Sequence, residues 1–165
     1  MNRQGIQELY AHIDYVWPQI VQIVSEGDAD TLAKTAPGSG WPNLRNCLAH
    51  LLFAYERWLT ILTDEEQGNA SETVESVAEI DSARAAFRRK IDALLAGLSD
   101  DELSSVREFA IDGDRMPYSY AELLTHVALH ERGHHGDVTT LFWQLGIEAE
   151  TAFDYRFHLE RKPLD

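Results

Sequence analysis

A chain of 165 residues is long enough to bury its own hydrophobic core and short enough for a single domain over residues 1–165. Its formal net charge of −14 works against a nucleic-acid partner, because phosphate backbones reward Lys and Arg; and no apolar run nears the ~20 residues that cross a bilayer, which sets membranes aside. The single cysteine, Cys47, excludes an internal disulfide, and the start Met1-Asn2-Arg3-Gln4-Gly5 has no secretory pattern, so the expected location is the cytoplasm.

Four stretches carry the helical period and none is clearly a strand. The first runs from about Gln4 to Ser25, with Ile6, Tyr10, Ile13, Trp17, Ile20 and Val24 three or four apart. Pro18 inside it is expected to bend it. Residues 34–42 are dense in helix breakers and read as a loop. Pro42 suits the first turn of the second helix, which runs to about Thr63 with a stripe of Leu44, Cys47, Leu48, Leu51, Tyr55, Trp58 and Leu62.

Asp64 to Ser71 is polar and reads as a loop. The third helix spans about Val74 to Leu98. Val77, Ile80, Ala83, Phe87, Ile91, Leu94 and Leu95 share one face, while Arg84, Arg88, Arg89 and Lys90 read as a solvated face. Ser99-Asp100-Asp101-Glu102 resembles a capped turn. Val106 to Ile111 has room to be extended, and Asp112-Gly113-Asp114 marks a turn. Ser119 caps the fourth helix, which runs from about Tyr120 to Leu145 and stops at Gly146. The aromatic stretch Phe153 to Leu159 is expected to pack on the bundle as a tail.

The predicted fold is therefore all-α: a four-helix bundle with a long connection between helices three and four and a short C-terminal tail. That connection, about 20 residues, exceeds the usual bundle loop. It either crosses the bundle or overhangs one end as part of a site.

Four of the seven histidines fall in the run His126-x3-His130-x3-His134-His135. Side chains four apart lie on one helix face. On a wheel at ~100° per residue, Leu123, Val127, His130, His134, Val138, Leu141 and Leu145 share an arc narrower than a quarter-turn. Two buried imidazoles each need a partner, and a first-row metal ion satisfies both. His126 lies at the edge of the arc and ~12 Å along the axis from His134. The spacing therefore leaves His126/His130 and His130/His134 both open as the ligand pair. His135 points away and reads as a surface or mouth residue.

A third ligand is expected from a facing helix. His50, at the edge of the second helix's stripe, is the candidate; its alternative is a core histidine bonded to a carbonyl. His12 reads as surface and His158 as structural. The run His130-Glu131-Arg132-Gly133-His134 also matches H-E-x-x-H, in which Glu131 is the general base of a zinc peptidase. The extended form of that motif fails at Asp137 and Thr140, and no strand is evident to hold a peptide. Glu131 is read as an exposed helix residue.

Two stretches carry a family resemblance. Trp41-Pro-Asn-Leu-Arg-Asn-Cys-Leu-Ala-His50-Leu-Leu-Phe-Ala-Tyr-Glu-Arg-Trp58 pairs a tryptophan with a helix bearing histidine-leucine and then an acidic residue and tryptophan. The other is His126-Val-Ala-Leu-His130-Glu-Arg-Gly-His134-His-Gly136-Asp-Val, closing on Leu145-Gly146. Together they resemble the DinB-like (DinB/YfiT) superfamily of metal-binding four-helix bundles. The resemblance implies a metal triad of His50, His130 and His134, and so chooses between the two pairs. The chain departs from the family at His135, where arginine is common, and at Asp137, where glutamine is common. Members include transferases that use low-molecular-weight thiols, and hydrolases, and many are homodimers.

Three imidazoles leave a divalent ion one open position, the arrangement of a catalytic site. Zinc or nickel suits such a ligand set. The expected function is a metal-dependent enzyme acting on small molecules, either a thiol-dependent S-transferase or a hydrolase. Arg45, Arg57 and Arg132 are the cations available to a thiol cofactor. The rival is a non-enzymatic, dimeric metal- or ligand-binding module for stress response. A fourth protein ligand, for which Asp137 is the candidate, would favour the module. Phe142 and Trp143 suit either a dimer face or the core.

Overall fold

The computed structural model describes residues 1–28, 30–38, 40–148 and 153–161. The chain runs through α1 (Arg3–Glu26), α2 (Leu44–Thr63), α3 (Ala70–Thr73), α4 (Val77–Gly97), α5 (Asp100–Ser104), β1 (Arg107–Ile111), β2 (Asp114–Tyr118), α6 (Tyr120–Gln144) and α7 (Tyr155–Leu159). The four long helices are the four expected from periodicity, and the fold is a predominantly α-helical bundle. Among the described residues no helix is long and apolar enough to cross a membrane.

Helix ends follow local chemistry. Ser76, Ser99 and Ser119 each accept from the third residue of their helix, and Glu79, Glu102 and Glu122 reach back to complete capping boxes. Asn43 caps α2, so Pro42 stands before the cap and not in the first turn as expected. Its carbonyl accepts from Ala36 instead, closing the preceding loop. Of the loop residues 34–42, Ser39 lies outside the described residues. Gly146, at φ 69°, ends α6; its N–H reaches the Trp143 carbonyl and that of Ile147 reaches Phe142, a closure that needs a left-handed residue.

The connection between α4 and α6 keeps the capped turn, the extended run and the turn at 112–114 that the sequence suggests, and adds a second strand, β2, that it does not. It is a helical turn followed by an antiparallel hairpin, with Phe109 opposite Met116 and Arg107 opposite Tyr118. Asp112 and Gly113 take φ of 53° and 90°, the two left-handed residues of a tight two-residue hairpin turn. The alternation 109, 111 against 116, 118 turns one face toward the bundle, where Phe109 is buried against Tyr120. β2 is short and carries a proline and charges, which hid it.

Ile6, Ile13, Ile20, Leu44, Leu48, Leu52, Ile80, Ile91, Leu124 and Leu141 fill the interior between the four long helices. α6 packs against both α1 and α2. The tail packs as expected: Tyr155 Oη donates to Glu8, and His158 Nε2 lies 3.0 Å from the same carboxylate. His12 is a correction, since it is buried beneath the tail with Nε2 3.1 Å from the Phe153 carbonyl. Phe142 is core, whereas Trp143 is 81% exposed.

Candidate metal centre

His130 and His134 sit one turn apart on α6, which places their rings side by side: centroids are 4.5 Å apart and the two Nε2 atoms 3.1 Å apart. His50 of α2 approaches from the facing helix, its ring 5.5 Å from that of His130 and 5.0 Å from that of His134. One ligand nitrogen from each of the three lies within 4.8 Å of the others. Of the two α6 pairs the spacing left open, it is His130/His134 that meets His50. His126 turns instead to Trp58, ring to ring at 4.6 Å, and lies alongside His130 at 5.9 Å.

The donor set fits a tetrahedral divalent ion. Ligands at ~2.0–2.1 Å from zinc stand about 3.3 Å apart along a tetrahedral edge, close to the observed Nε2 separation. A second layer fixes one ring. Asp137 Oδ2 is 2.9 Å from His134 Nδ1 and also accepts from Trp41 Nε1 at 2.9 Å. A carboxylate on Nδ1 places the proton there and leaves Nε2 with a free lone pair aimed at the cluster, the arrangement that orients metal-binding histidines elsewhere. Trp41 also flanks both rings, 5.0 Å from His50 and 5.4 Å from His134. The tryptophan of the sequence motif is thus part of the frame around the cluster.

Asp137 works on the Nδ1 side of His134, opposite the shared point, so it positions a ligand and does not face the cluster as a fourth one. Cys47, His134 and Asp137 form a second close group on that side. It is the weaker metal candidate. Burial pushes the Cys47 thiol up to about 12, so it stays protonated, and Sγ is 3.9 Å from Nδ1. One neutral imidazole also cannot offer both nitrogens as lone pairs.

Electrostatics prepare the triad for a cation. Burial, reinforced by His134 and His50, pushes His130 down to about 4. Burial and then His134 also lower His50. At neutral pH both rings are uncharged, the form that binds metal.

Glu131 and His135 overturn the sequence reading, since both are fully buried. Glu131 Oε1 accepts from Arg84 Nε at 2.6 Å and His135 Nε2 at 3.2 Å, and Oε2 accepts from the Tyr55 hydroxyl. Arg84 and Arg88, read as solvated, are buried as well and share Asp14 of α1. Burial alone would raise the Glu131 carboxyl, but the Arg84 guanidinium and His135 hold it well below the usual carboxylate range. With both oxygens engaged away from the histidine cluster, Glu131 is no general base there, and the H-E-x-x-H reading loses its central residue.

That network joins α1, α2, α4 and α6 through Asp14, Tyr55, Arg84 and Glu131. The signal for it was Arg84 and Arg88 standing four and eight residues after Ile80, on the buried row of α4. Two of the three cations offered for a thiol cofactor are engaged elsewhere. Arg45 binds the Val74 carbonyl and Glu75, and Arg57 binds both oxygens of Asp112 in the hairpin turn. Arg132 lines a separate hollow with Trp143 and Phe153.

A helical bundle with three imidazoles from two facing helices converging near its surface defines a class of bundle proteins with a candidate metal centre. The DinB family model matches residues 1–163, and the chain belongs to the DinB family. A comparison with curated proteins gives no match. Membership and the histidine cluster together support a metal-associated role.

Proposed function

We propose that His50, His130 and His134 hold one divalent transition metal, zinc or nickel, and that the protein is a metal-dependent enzyme acting on small molecules, a thiol-dependent S-transferase or a hydrolase. The observation that carries this reading is the convergence of three imidazoles with their ligand nitrogens within 4.8 Å and no fourth protein ligand beside them among the described residues. An open position is what separates a catalytic metal site from a closed structural one. When bound, such an ion acts as a Lewis acid that lowers the pKa of a water or thiol on it to near neutrality.

The chain's own residues supply the frame. His134 is held in one tautomer by Asp137, and Asp137 is held by Trp41. Burial keeps His130 and His50 uncharged. The Glu131–Arg84–Tyr55 network ties α6 to α2 and α4.

The test has two stages. Purified protein, analysed for metal beside a His50→Ala, His130→Ala double variant, is expected to carry about one ion per chain that the variant lacks. Equal content in both discards the site. A screen with chromogenic electrophiles and several cellular thiols, and with aryl esters in parallel, is then expected to show turnover that the double variant loses. Stoichiometric metal without turnover would assign a binding module instead.

A further inference from the structure

Beside the histidine cluster lies a cavity of about 240 Å³, lined by Trp58 of α2, Ile111, Met116 and Tyr118 of the hairpin, and Glu122, Leu123 and His126 of α6. It exceeds the ~150 Å³ apolar hole that accommodates benzene in an engineered protein core. Three of its walls are rings and three are aliphatic or thioether side chains. Its one carboxylate, Glu122, is already engaged, accepting from the Ser119 N–H at 2.7 Å and the Ser119 hydroxyl at 2.8 Å. No unpaired charge there selects an ionic guest.

Two features argue for a receptor and against a packing gap. The hairpin that roofs the cavity is held at its turn, where both oxygens of Asp112 take Arg57 Nη2 at 2.8 and 2.7 Å, and Arg57 in turn lies over Trp58. The two-residue turn is thereby tethered to α2 through Arg57. The lip is Met116, 36% exposed, a flexible side chain suited to adjusting around a guest. One wall of the cavity also adjoins the triad. His126 is a wall of the cavity, and its ring lies alongside His130 at 5.9 Å.

We propose that this cavity is the seat for the apolar, ring-bearing part of the small molecule on which the protein acts, with Trp58, Met116 and Tyr118 setting that preference, and that a guest seated there reaches past His126 to the His50–His130–His134 cluster. The second half of the proposal rests on the metal reading above; the first half does not.

The experiment keeps the two apart by using one phenylpropyl tail with and without a metal-binding head. The chain has only two methionines, Met1 and Met116, so methyl-13C-methionine labelling gives one reporter in the cavity and one outside. Titrating 3-phenylpropanol into metal-free protein is expected to shift the Met116 methyl saturably through the ring current and to leave Met1 in place. An unmoved Met116 signal overturns the proposal. Zinc-loaded protein is then titrated with acetohydroxamate and with 3-phenylpropanohydroxamate. The aromatic tail is expected to tighten binding at least tenfold, and Met116→Arg and Trp58→Ala are expected to abolish that gain while leaving acetohydroxamate binding unchanged. Equal affinity of the two hydroxamates, or a gain that survives both variants, overturns the link between cavity and cluster. Failure of zinc to bind at all removes the metal reading, while the Met116 shift still decides whether the cavity takes the ring.

Discussion

His130 and Glu131 are neighbours in sequence, as are His134 and His135, yet the two pairs belong to opposite kinds of site. On one face of α6, His130 and His134 bring their Nε2 atoms to 3.1 Å beside His50, and the back of His134 is tied down by Asp137. About 100° around the same helix, Glu131 and His135 are fully buried, and both carboxylate oxygens of Glu131 are taken by Tyr55, Arg84 and His135. The difference is one of satisfaction. A buried polar group that has spent its hydrogen bonds inside the protein holds helices in register. Imidazole nitrogens from two helices brought within 4.8 Å of one another can serve as a ligand set.

The sharpest break of this contrast is Glu131→Gln. It leaves Arg84 buried without its full counter-charge, and losing one partner of a buried ion pair costs about 3 kcal/mol or more. For a chain of this size that is a drop in melting temperature of roughly 6–12 °C, read by calorimetry on metal-free protein. Zinc stoichiometry in the folded variant is expected to stay at wild-type level. Loss of zinc with unchanged melting would exchange the roles of the two faces.

Asp137→Ala acts on the other side. Removing a carboxylate that orients a metal-binding histidine typically weakens the metal 10–100-fold, and this is expected here with little change in the stability of the metal-free protein, because Asp137 is partly exposed. Competition against a chromophoric chelator measures it. An unchanged zinc affinity would remove Asp137 and Trp41 from the frame of the site.

Acidification separates the faces by what titrates. His130, pushed down to about 4 from an ordinary value of 6.5, binds its proton more weakly folded than unfolded. The metal-free protein should therefore lose stability as pH falls from about 6.5 toward 4, with His50 contributing in the same direction. Glu131 is also depressed, so its contribution survives this window and fails only at more acid pH, as the carboxylate is protonated. Urea midpoints across a pH series are expected to decline in two stages, and His130→Ala should flatten the first. A variant that tracks the wild type throughout would assign the loss to other groups.

The smallest effect is expected from Cys47→Ala. Cys47 is buried with a protonated thiol behind His134, so its loss should cost about 1 kcal/mol of packing and leave zinc affinity unaltered. A large fall in affinity would instead move the metal to the Cys47–His134–Asp137 group.

How much of this was legible differs by element. The four long helices were, because each repeats apolar residues at three and four, and the cap at Ser119 marks where the last of them starts, while α4 starts after its Ser76 cap and not near Val74 as expected from periodicity. The hairpin was visible at its turn and in the extended run before it, since Asp112-Gly113 has a specific backbone requirement, while β2, with little apolar alternation, was not. His50, His130 and His134 were drawn together by resemblance; helical spacing alone left His126 in contention. Glu131 and His135 were misplaced because a wheel with one apolar stripe assumes one buried face, whereas α6 packs against both α1 and α2 and a second face about 100° away is buried as well. His12 was misplaced because the C-terminal tail covers it, and Arg84 because its buried charge is paired with Glu131 and Asp14 of other helices.

Local sequence thus determined the helices, their caps and the histidine spacing, because propensity, capping and periodicity act over a few residues. The tertiary structure alone decided which imidazoles meet, which carboxylate is buried against arginine, and that the hairpin roofs a cavity beside the cluster. These depend on the rotation of each helix against two neighbours. That rotation is set by packing and buried ion pairs between residues 47 to 76 positions apart, a range at which no local pattern in the chain speaks.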